Sequence, residues 1–244
     1  MNALYFRFDQ TLSQTSSDAK LFAIALNKND RIRLINTSSE INNLVRSAIL
    51  QAWPNGIEEE NSKKNEHEFR LKGEPWCCLN EETIYSRRLV CYIFKSLSEY
   101  EYSLYGTCES SRQLNSKSLF FFRHEPKFTK NQSLCICLDG INVIRVIDGN
   151  ENHVDAVRDA IIKGWNEGIE NNGFYRDSYY FILKGLPFKG DSHNSIYMST
   201  VLMKLLENFK NHKAQLLCSA SVNGRYHEAK HSFKIDLSAW FVAF

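Results

Sequence analysis

The chain has 244 residues, of which 43% are hydrophobic and 13% aromatic, and its formal net charge is +2. Basic and acidic residues are balanced in both halves, which excludes a polycationic arm or an acidic tail. Long-range attraction to DNA or to an anionic membrane is therefore not expected, and the length allows two domains.

The seven cysteines are an odd number, and no C-x-x-C pair occurs among them. This usage predicts reduced thiols and a protein of the cytoplasm or the nucleus. No apolar run reaches the length of a membrane span, and the first residues lack the basic-then-apolar order of a signal peptide. The sequence therefore predicts no membrane insertion.

One long stretch of the sequence occurs twice. Residues 32–76 match residues 144–188 without a gap, and both copies close with a Leu-Lys-Gly-x-Pro-aromatic motif. A match of this length indicates an internal duplication. We predict two homologous units, at residues 1–124 and 133–244, joined by a linker at residues 125–132.

Each copy begins with a strand whose two faces differ. Large apolar residues alternate with small ones over residues 21–26 and again over residues 134–138. The small side chains are those of Ala23, Ala25, Cys135 and Cys137. Because the small face is apolar too, we expect a second layer to cover it, with the cysteines as small buried residues rather than metal ligands.

The remaining elements follow in the same order in both copies. In the first copy they are a second strand at 31–35, an amphipathic helix ending near Gly56, a solvated loop at 58–68, a third strand at 69–71, a second helix at 82–99 and two closing strands at 103–107 and 118–123. In the second copy the same elements are predicted at 143–147, up to Gly168, at 170–177, 179–183, 195–211, 215–222 and 240–244. A short strand is also predicted at residues 4–8, and residues 224–237 form an insertion in the second copy.

Two residue pairs have a predicted structural role. Trp53 and Trp165 complete the apolar stripe of the first helix and should be buried. Gly73 and Gly185 follow the third strand, where a positive φ is expected at the turn.

These elements predict an α/β fold of the α+β type. Each unit is a β-β-α-β-α-β-β repeat, a two-layer sandwich with both helices on one face of a largely antiparallel sheet. We expect the apolar second faces of the two copies to pack together about a pseudo-two-fold axis.

Four basic residues shared by the copies are the candidate binding residues. Lys72 and Lys184 precede the glycine turn, where a lysine could contact an anionic ligand or only keep a sheet edge soluble. Arg46 and Arg158 lie on the first helix, where the arginine stem is expected to pack on the tryptophan of the same helix.

Other polar groups form no recognisable catalytic or metal site. Asp191, Ser192 and His193 have the residue types of a triad but stand where a helix cap is expected. His227 and His231 are four positions apart without a clear third ligand. The sequence contains no phosphate loop, dinucleotide fingerprint or metal-protease motif, so we predict no catalytic residues, no metal and no cofactor.

An aromatic strand at residues 119–122 could stack on single-stranded RNA. Its three consecutive phenylalanines must point to both faces of the sheet, which favours burial between layers.

The sequence favours a non-catalytic intracellular binding or scaffold protein, built as a pseudo-dimer of two units, with a protein partner. The alternative is an enzyme or small-molecule-binding protein with its site between the units. A pocket with converging polar groups at that place would indicate the alternative.

Overall fold

The computed structural model describes residues 20–77, 81–109, 118–126, 133–188, 192–211, 214–222, 226–227, 234–235 and 238–243. The predicted strand at residues 4–8, most of the linker, and Asp191 and His231 lie outside these residues. The described residues form two six-stranded antiparallel sheets, each with two helices, and one small hairpin.

The first unit contains eight elements. They are β1 (Phe22–Asn27), β2 (Arg31–Ile35), α1 (Ser39–Ala52), β3 (Ile57–Lys63), β4 (Glu66–Leu71), α2 (Glu81–Glu99), β5 (Tyr102–Glu109) and β6 (Ser118–His124).

The second unit repeats these elements and adds a hairpin in its insertion. The elements are β7 (Ser133–Asp139), β8 (Val143–Ile147), α3 (Glu151–Gly164), β9 (Ile169–Tyr175), β10 (Ser178–Leu183), α4 (Ser192–Asn211), β11 (Gln215–Ser221), β12 (Tyr226–His227), β13 (Lys234–Ile235) and β14 (Ser238–Ala243).

Both sheets have the same strand order. Sheet A runs β3-β4-β2-β1-β6-β5, and sheet B, read in the same direction, runs β9-β10-β8-β7-β14-β11. The predicted tandem duplication of an α+β unit with a largely antiparallel sheet is therefore confirmed.

The predicted unit lacked one strand, because β3 and β9 had been assigned to a solvated loop. Most side chains of β3 and β9 are exposed, and each strand pairs with only one neighbour at the edge of its sheet. An edge strand needs no apolar alternation and is protected from unwanted pairing by charged side chains. The unit is therefore β-β-α-β-β-α-β-β.

The face of each sheet that its own two helices cover is called here the inner face. On sheet A this face is formed by large side chains such as Phe22 and Phe120, which pack with the buried residues of α1 and α2. Helix α1 begins after Ser38, whose side chain caps the helix by accepting a hydrogen bond from the backbone N–H of Ile41. Trp53 ends the helix and is buried, as is Trp165, so that prediction is confirmed.

The two units do not meet about a two-fold axis. Helix α2 of the first unit lies against β7 and β8 of the second, on the sheet face opposite α3 and α4, here called the outer face. The equivalent helix α4 exposes several large apolar side chains to solvent, which shows that it does not pack on sheet A in the corresponding way. The contact joins unlike surfaces, a helix and a sheet, so the pseudo-two-fold prediction was wrong. Sequence alone could not choose between a sheet and a helix as the second layer.

Candidate functional site

Lys72 and Lys184 lie at equivalent turns with exposed side chains. The described contacts at these turns involve their backbone carbonyls. Trp53 Nε1–H donates to the Lys72 carbonyl at 2.9 Å, and Trp165 Nε1–H donates to the Lys184 carbonyl at 3.1 Å. The glycines that follow have φ of +82° and +72°, as predicted. A ligand contact by the lysine ammonium groups stays a prediction.

Arg46 and Arg158 place their guanidinium groups over phenylalanine rings. The packing of their stems on the tryptophans stays a prediction. Each guanidinium lies 5.7 Å from a ring centre, Arg46 over Phe69 and Arg158 over Phe181. Helical side chains point back towards the helix N-terminus, which places these groups over β4 and β10. Arg46 Nε also donates to Glu60 at 2.9 Å and thereby lowers the pKa of that carboxyl. Among the described residues no contact joins either arginine to a candidate lysine, so the four do not form one site.

Helix α2 is buried on two sides, by its own sheet and by the outer face of sheet B. The side that faces sheet B is here called the α2 stripe. It holds Arg87, Arg88, Cys91 and Phe94, which contact sheet B, and the buried Ile84, which precedes them at helical spacing. The Phe94 and Phe241 rings meet edge to face with centres 5.2 Å apart. The Ser133 hydroxyl donates to the Cys91 carbonyl at 2.9 Å. These contacts place the stripe in the core shared by both units.

Arg87 carries a charge into this core. Its side chain is fully buried, and its Nη1 donates to Asp139 Oδ1 at 2.6 Å. The second oxygen of Asp139 accepts from Arg145 at 3.1 Å. Burial lowers the pKa of Arg87, but the Asp139 carboxylate raises it and the net shift is upward, so the guanidinium stays charged. Its Nε and Nη2 have no hydrogen-bond partner within the described part of the chain.

Arg88 anchors the same helix at the rim of sheet B. Its Nε donates to Asp148 at 2.8 Å, its Nη1 donates to the Asp177 carboxylate at 3.0 Å and its Nη2 donates to the Asp177 carbonyl at 2.8 Å. Burial raises the pKa of Asp148, and the attraction of Arg88 offsets this only in part. The two arginines therefore fix the position of α2 through specific polar contacts.

The cysteines at the interface are structural. Cys91, Cys135 and Cys137 are buried free thiols, and the Cys135 and Cys137 sulfurs lie 3.4 Å apart. Burial raises the pKa of all three, which keeps them as unreactive thiols. Cys135 and Cys137 are small buried residues, as predicted. Among the described residues no three His, Cys, Asp or Glu side chains are grouped to hold a metal ion.

Helix α4 carries an equivalent stripe in an exposed position. This α4 stripe consists of Ile196, Ser199, Thr200, Met203 and Leu206. Ile196, Met203 and Leu206 are 64%, 56% and 40% exposed, whereas Ile84, Cys91 and Phe94 at the matching positions of α2 are 1%, 1% and 5% exposed. The α4 stripe thus keeps the apolar character of a docked helix face without being covered.

The outer face of sheet A resembles the face that receives α2. The residues of one cross-strand row on sheet B are Ile147, Cys135, Phe241 and Cys218, all of them buried. The matching row on sheet A consists of Ile35, Ala23, Phe121 and Gly106. Ala23 is buried, but the other three are only partly buried. Sheet A therefore has a partly exposed copy of the docking surface.

A cavity of about 560 Å³ opens in the first unit near the start of α1. Asn36 and Asn65 line it, together with three basic residues, Lys20, Lys64 and His124. Asn36 and Asn65 stand at the positions where Asp148 and Asp177 bind Arg88 in the second unit. The cavity is therefore next to the first unit's counterpart of the Arg88 site.

A cavity at the interface between the units is much smaller. Its volume is about 20 Å³, and it is lined by residues that include Phe94, Ser133 and Leu217.

The aromatic strand β6 points Phe120 and Phe122 into the core and leaves only Phe121 on the outer face, as its alternation predicted. Within the described residues, no helix is long and apolar enough to cross a membrane.

Sequence reasoning missed Arg87, Arg88 and the double burial of α2. The sequence predicts only one apolar side for this helix, with Ile84, Leu89, Ile93 and Leu97 directed inward. Cys91 and Phe94 add a second apolar side, and a helix that is apolar around most of its circumference is buried on more than one side. That pattern was the available signal.

Comparison with known proteins gives a family and a structural relative. A single protein-family model matches residues 20–123 and again residues 132–242. A crystal structure of a conserved kinetoplastid-specific protein from Trypanosoma cruzi is similar at 18% identity, with a TM-score of 0.33, over 46% of this chain and 95% of that chain. No curated protein matches. Because the family model covers most of the chain, the chain belongs to that family, with one domain of it in each unit.

Proposed function

We propose that this chain is a non-catalytic binding protein that engages a protein partner through the α4 stripe and the outer face of sheet A. The observation that carries the proposal is the exposure of Ile196, Met203 and Leu206, whose counterparts on α2 are buried in a protein contact. Exposed apolar side chains in a contiguous patch are typical of interaction surfaces.

The space between the units supports binding over catalysis. A small-molecule pocket usually encloses several hundred cubic ångströms. The 20 Å³ cavity in the described part of the interface is too small for a substrate. Arg87 and Asp139, which join the units by an ion pair, are not among the residues that line this cavity, and they are already bonded to each other.

A reducing compartment, the cytoplasm or the nucleus, suits the proposed protein. All six cysteines that the structure describes are free, including the neighbouring Cys135 and Cys137. Extracellular domains tend instead to use such residues in disulfides.

A photo-crosslinking experiment in cells tests the proposal. A benzophenone amino acid replaces Met203 on the α4 stripe, and in a control chain it replaces Leu50, an exposed apolar residue of α1. We expect discrete protein adducts from position 203 that are absent from position 50. Equal or absent adducts at both positions would contradict a protein-binding role for α4.

A second candidate is the binding of a small anion in the 560 Å³ cavity, favoured by Lys20, Lys64 and His124 on its wall. Titration with inorganic tripolyphosphate tests it. We expect a rise in the unfolding temperature that Lys64→Ala reduces, and an unchanged unfolding temperature would exclude this role.

A further inference from the structure

We propose that the partner is a second copy of this chain, with its α4 stripe docked on the outer face of sheet A of the first. This inference rests on the proposed function and names the partner of the same surfaces. It follows from the contact that the chain makes with itself, in which α2 occupies the outer face of sheet B.

Among the described residues, the exposed α4 stripe and the partly exposed outer face of sheet A are the counterparts of the two surfaces that are docked. The α4 stripe matches the α2 stripe, and the outer face of sheet A matches the outer face of sheet B. Within one chain the helix of the first unit covers the sheet of the second. This leaves one helix face and one sheet face, at opposite ends of the pair. The same mode of docking can therefore be repeated between chains.

The polar positions on both surfaces differ from the docked pair in a compensating way. At the position of Arg87, α4 has Ser199, and at the position of its acceptor Asp139, sheet A has Asn27. The contact of α2 with sheet B therefore has a charged pair where the proposed contact of α4 with sheet A has a neutral pair. If only one partner had changed, a charge would be buried without a counter-ion, which is costly.

The same compensation occurs at the rim. The position of Arg88 holds Thr200 on α4, and the positions of Asp148 and Asp177 hold Asn36 and Asn65 on sheet A. Asn36 also keeps the positive φ of its counterpart, 59° at both positions. A hydroxyl and two amides can pair by hydrogen bonds, and they carry smaller desolvation penalties than charges. The neutral polar sets on helix and sheet are complementary to each other.

The apolar parts also fit. Met203 and Leu206 replace Cys91 and Phe94 on the helix, and Ala23 and Gly106 replace Cys135 and Cys218 on the sheet. A longer side chain at position 203 meets smaller ones on the sheet, so the larger helix residue has room to pack. Because the contact joins unlike surfaces, it does not close on itself, and each added chain presents the same two surfaces again.

Sedimentation of the full chain tests the proposal. We expect the mass to rise above 28.3 kDa as the concentration increases up to about 200 µM, enough to populate a micromolar contact. Met203→Glu with Leu206→Glu on α4, or Ala25→Glu on sheet A, should each reduce this assembly. Ile162→Glu, at an exposed apolar residue of α3, is the control and should leave it unchanged. Circular dichroism checks that each variant is folded. If Ala25→Glu does not fold, Tyr105→Glu takes its place as the sheet A variant.

A mixture identifies the geometry. The α4 variant keeps a working sheet face, and the sheet variant keeps a working helix face. Mixed together, they should form a dimer of twice 28.3 kDa and nothing larger. A contact between identical surfaces would give no such rescue.

A charge exchange tests the residue pairing. Ser199→Arg in one chain and Asn27→Asp in the other recreate the Arg87–Asp139 pair. We expect each change alone to weaken assembly roughly tenfold or more, and the two together to restore it.

A chain that stays monomeric over the whole concentration range would overturn the second-copy proposal. Assembly to the same mass by the α4 and sheet A variants as by the parent chain would overturn it too. Crosslinking of another protein at position 203 by a monomeric chain would then leave the general binding function standing.

Discussion

The helices α2 and α4 occupy equivalent positions in two copies of one unit, yet their surroundings differ. Helix α2 lies between two sheets, and its stripe is buried with Arg87 at its centre. Helix α4 packs on one sheet and exposes Met203 and Leu206. The comparison teaches that the second copy of the unit keeps an apolar stripe at the equivalent place on α4, although no described element of the chain covers it.

The two sheets differ in the complementary way. The outer face of sheet B is covered and carries buried thiols, whereas sheet A has an ionic network at the same face. In that network Glu68 accepts from Arg33 Nε at 3.1 Å and from Arg33 Nη2 at 2.9 Å, and it also pairs with Arg31. This network lies on β2 and β4, beside the β1 and β6 residues that the α4 stripe is proposed to contact, and it pairs the buried Glu68 with two partly exposed arginines.

The largest effect is expected where the two units are the same. Trp53→Ala and Trp165→Ala should each lower the free energy of unfolding by about 3–5 kcal/mol, because each removes a buried indole. Both variants also lose the hydrogen bond to a lysine carbonyl. Urea unfolding measures the two costs. If the alanine variants do not fold, Trp53→Phe and Trp165→Phe allow the same comparison, and a large inequality would contradict the equivalence of the two cores.

The docked stripe should differ sharply from the exposed one. Phe94→Ala should cost about 3–4 kcal/mol, because it leaves a cavity against Phe241. Leu206→Ala at the matching position should cost less than about 1 kcal/mol in dilute monomer, as expected of a surface residue. Urea unfolding at low protein concentration measures both. Similar costs would mean that α4 is covered in the monomer.

The glycine turns should show a smaller, shared effect. Gly73→Ala and Gly185→Ala should each cost about 1–2 kcal/mol, because a side chain is disfavoured at φ of +82° and +72°. Gly106→Ala is the matched control, since its φ lies outside the left-handed region and a Cβ there meets no atom within 4 Å. Thermal unfolding measures the stability of the three variants. An equal loss of stability in Gly106→Ala would exclude backbone strain as the cause.

The smallest effect concerns pH and only the first unit. Burial raises the pKa of Glu68, but hydrogen bonds from Arg33 and Arg31 lower it more, so its pKa lies below the usual value. Its stabilisation is complete above the unfolded pKa of about 4.3 and is lost as pH falls through the folded pKa. The stability difference between the parent chain and Glu68→Gln should therefore shrink on acidification. Tyr180 stands at this position in the second unit, and Tyr180→Phe should leave the acid limb unchanged.

The repeat made much of the fold predictable. Periodicity located both helices, and the boundaries of β2 and β8 agree with the predicted residues. The predicted roles of Trp53 and Gly73 were found because each depends on local geometry, the end of a helical stripe and a turn. The strand β3 was missed because an exposed edge strand bears no apolar alternation.

The candidate site was harder to predict because it depends on contacts between distant parts of the chain. The small side chains of Cys135 and Cys137 indicated a covering layer but not its identity. Arg87 finds its acceptor 52 positions away, and no local pattern marks that pair. The shared lysines were chosen for their repetition, yet in the structure the repeated contact is made by their main chain.

The position of α2 between two sheets also has a consequence for dynamics. Its amide hydrogens can exchange with solvent only if both sheets separate from it, because its side chains belong to one core with residues of both units. Local opening is thus suppressed, and exchange should follow the unfolding of the whole chain. Helix α4, which covers one sheet and borders solvent, can open without that cost. Hydrogen–deuterium exchange should therefore find α2 the slower of the two helices, although their hydrogen-bond patterns are alike.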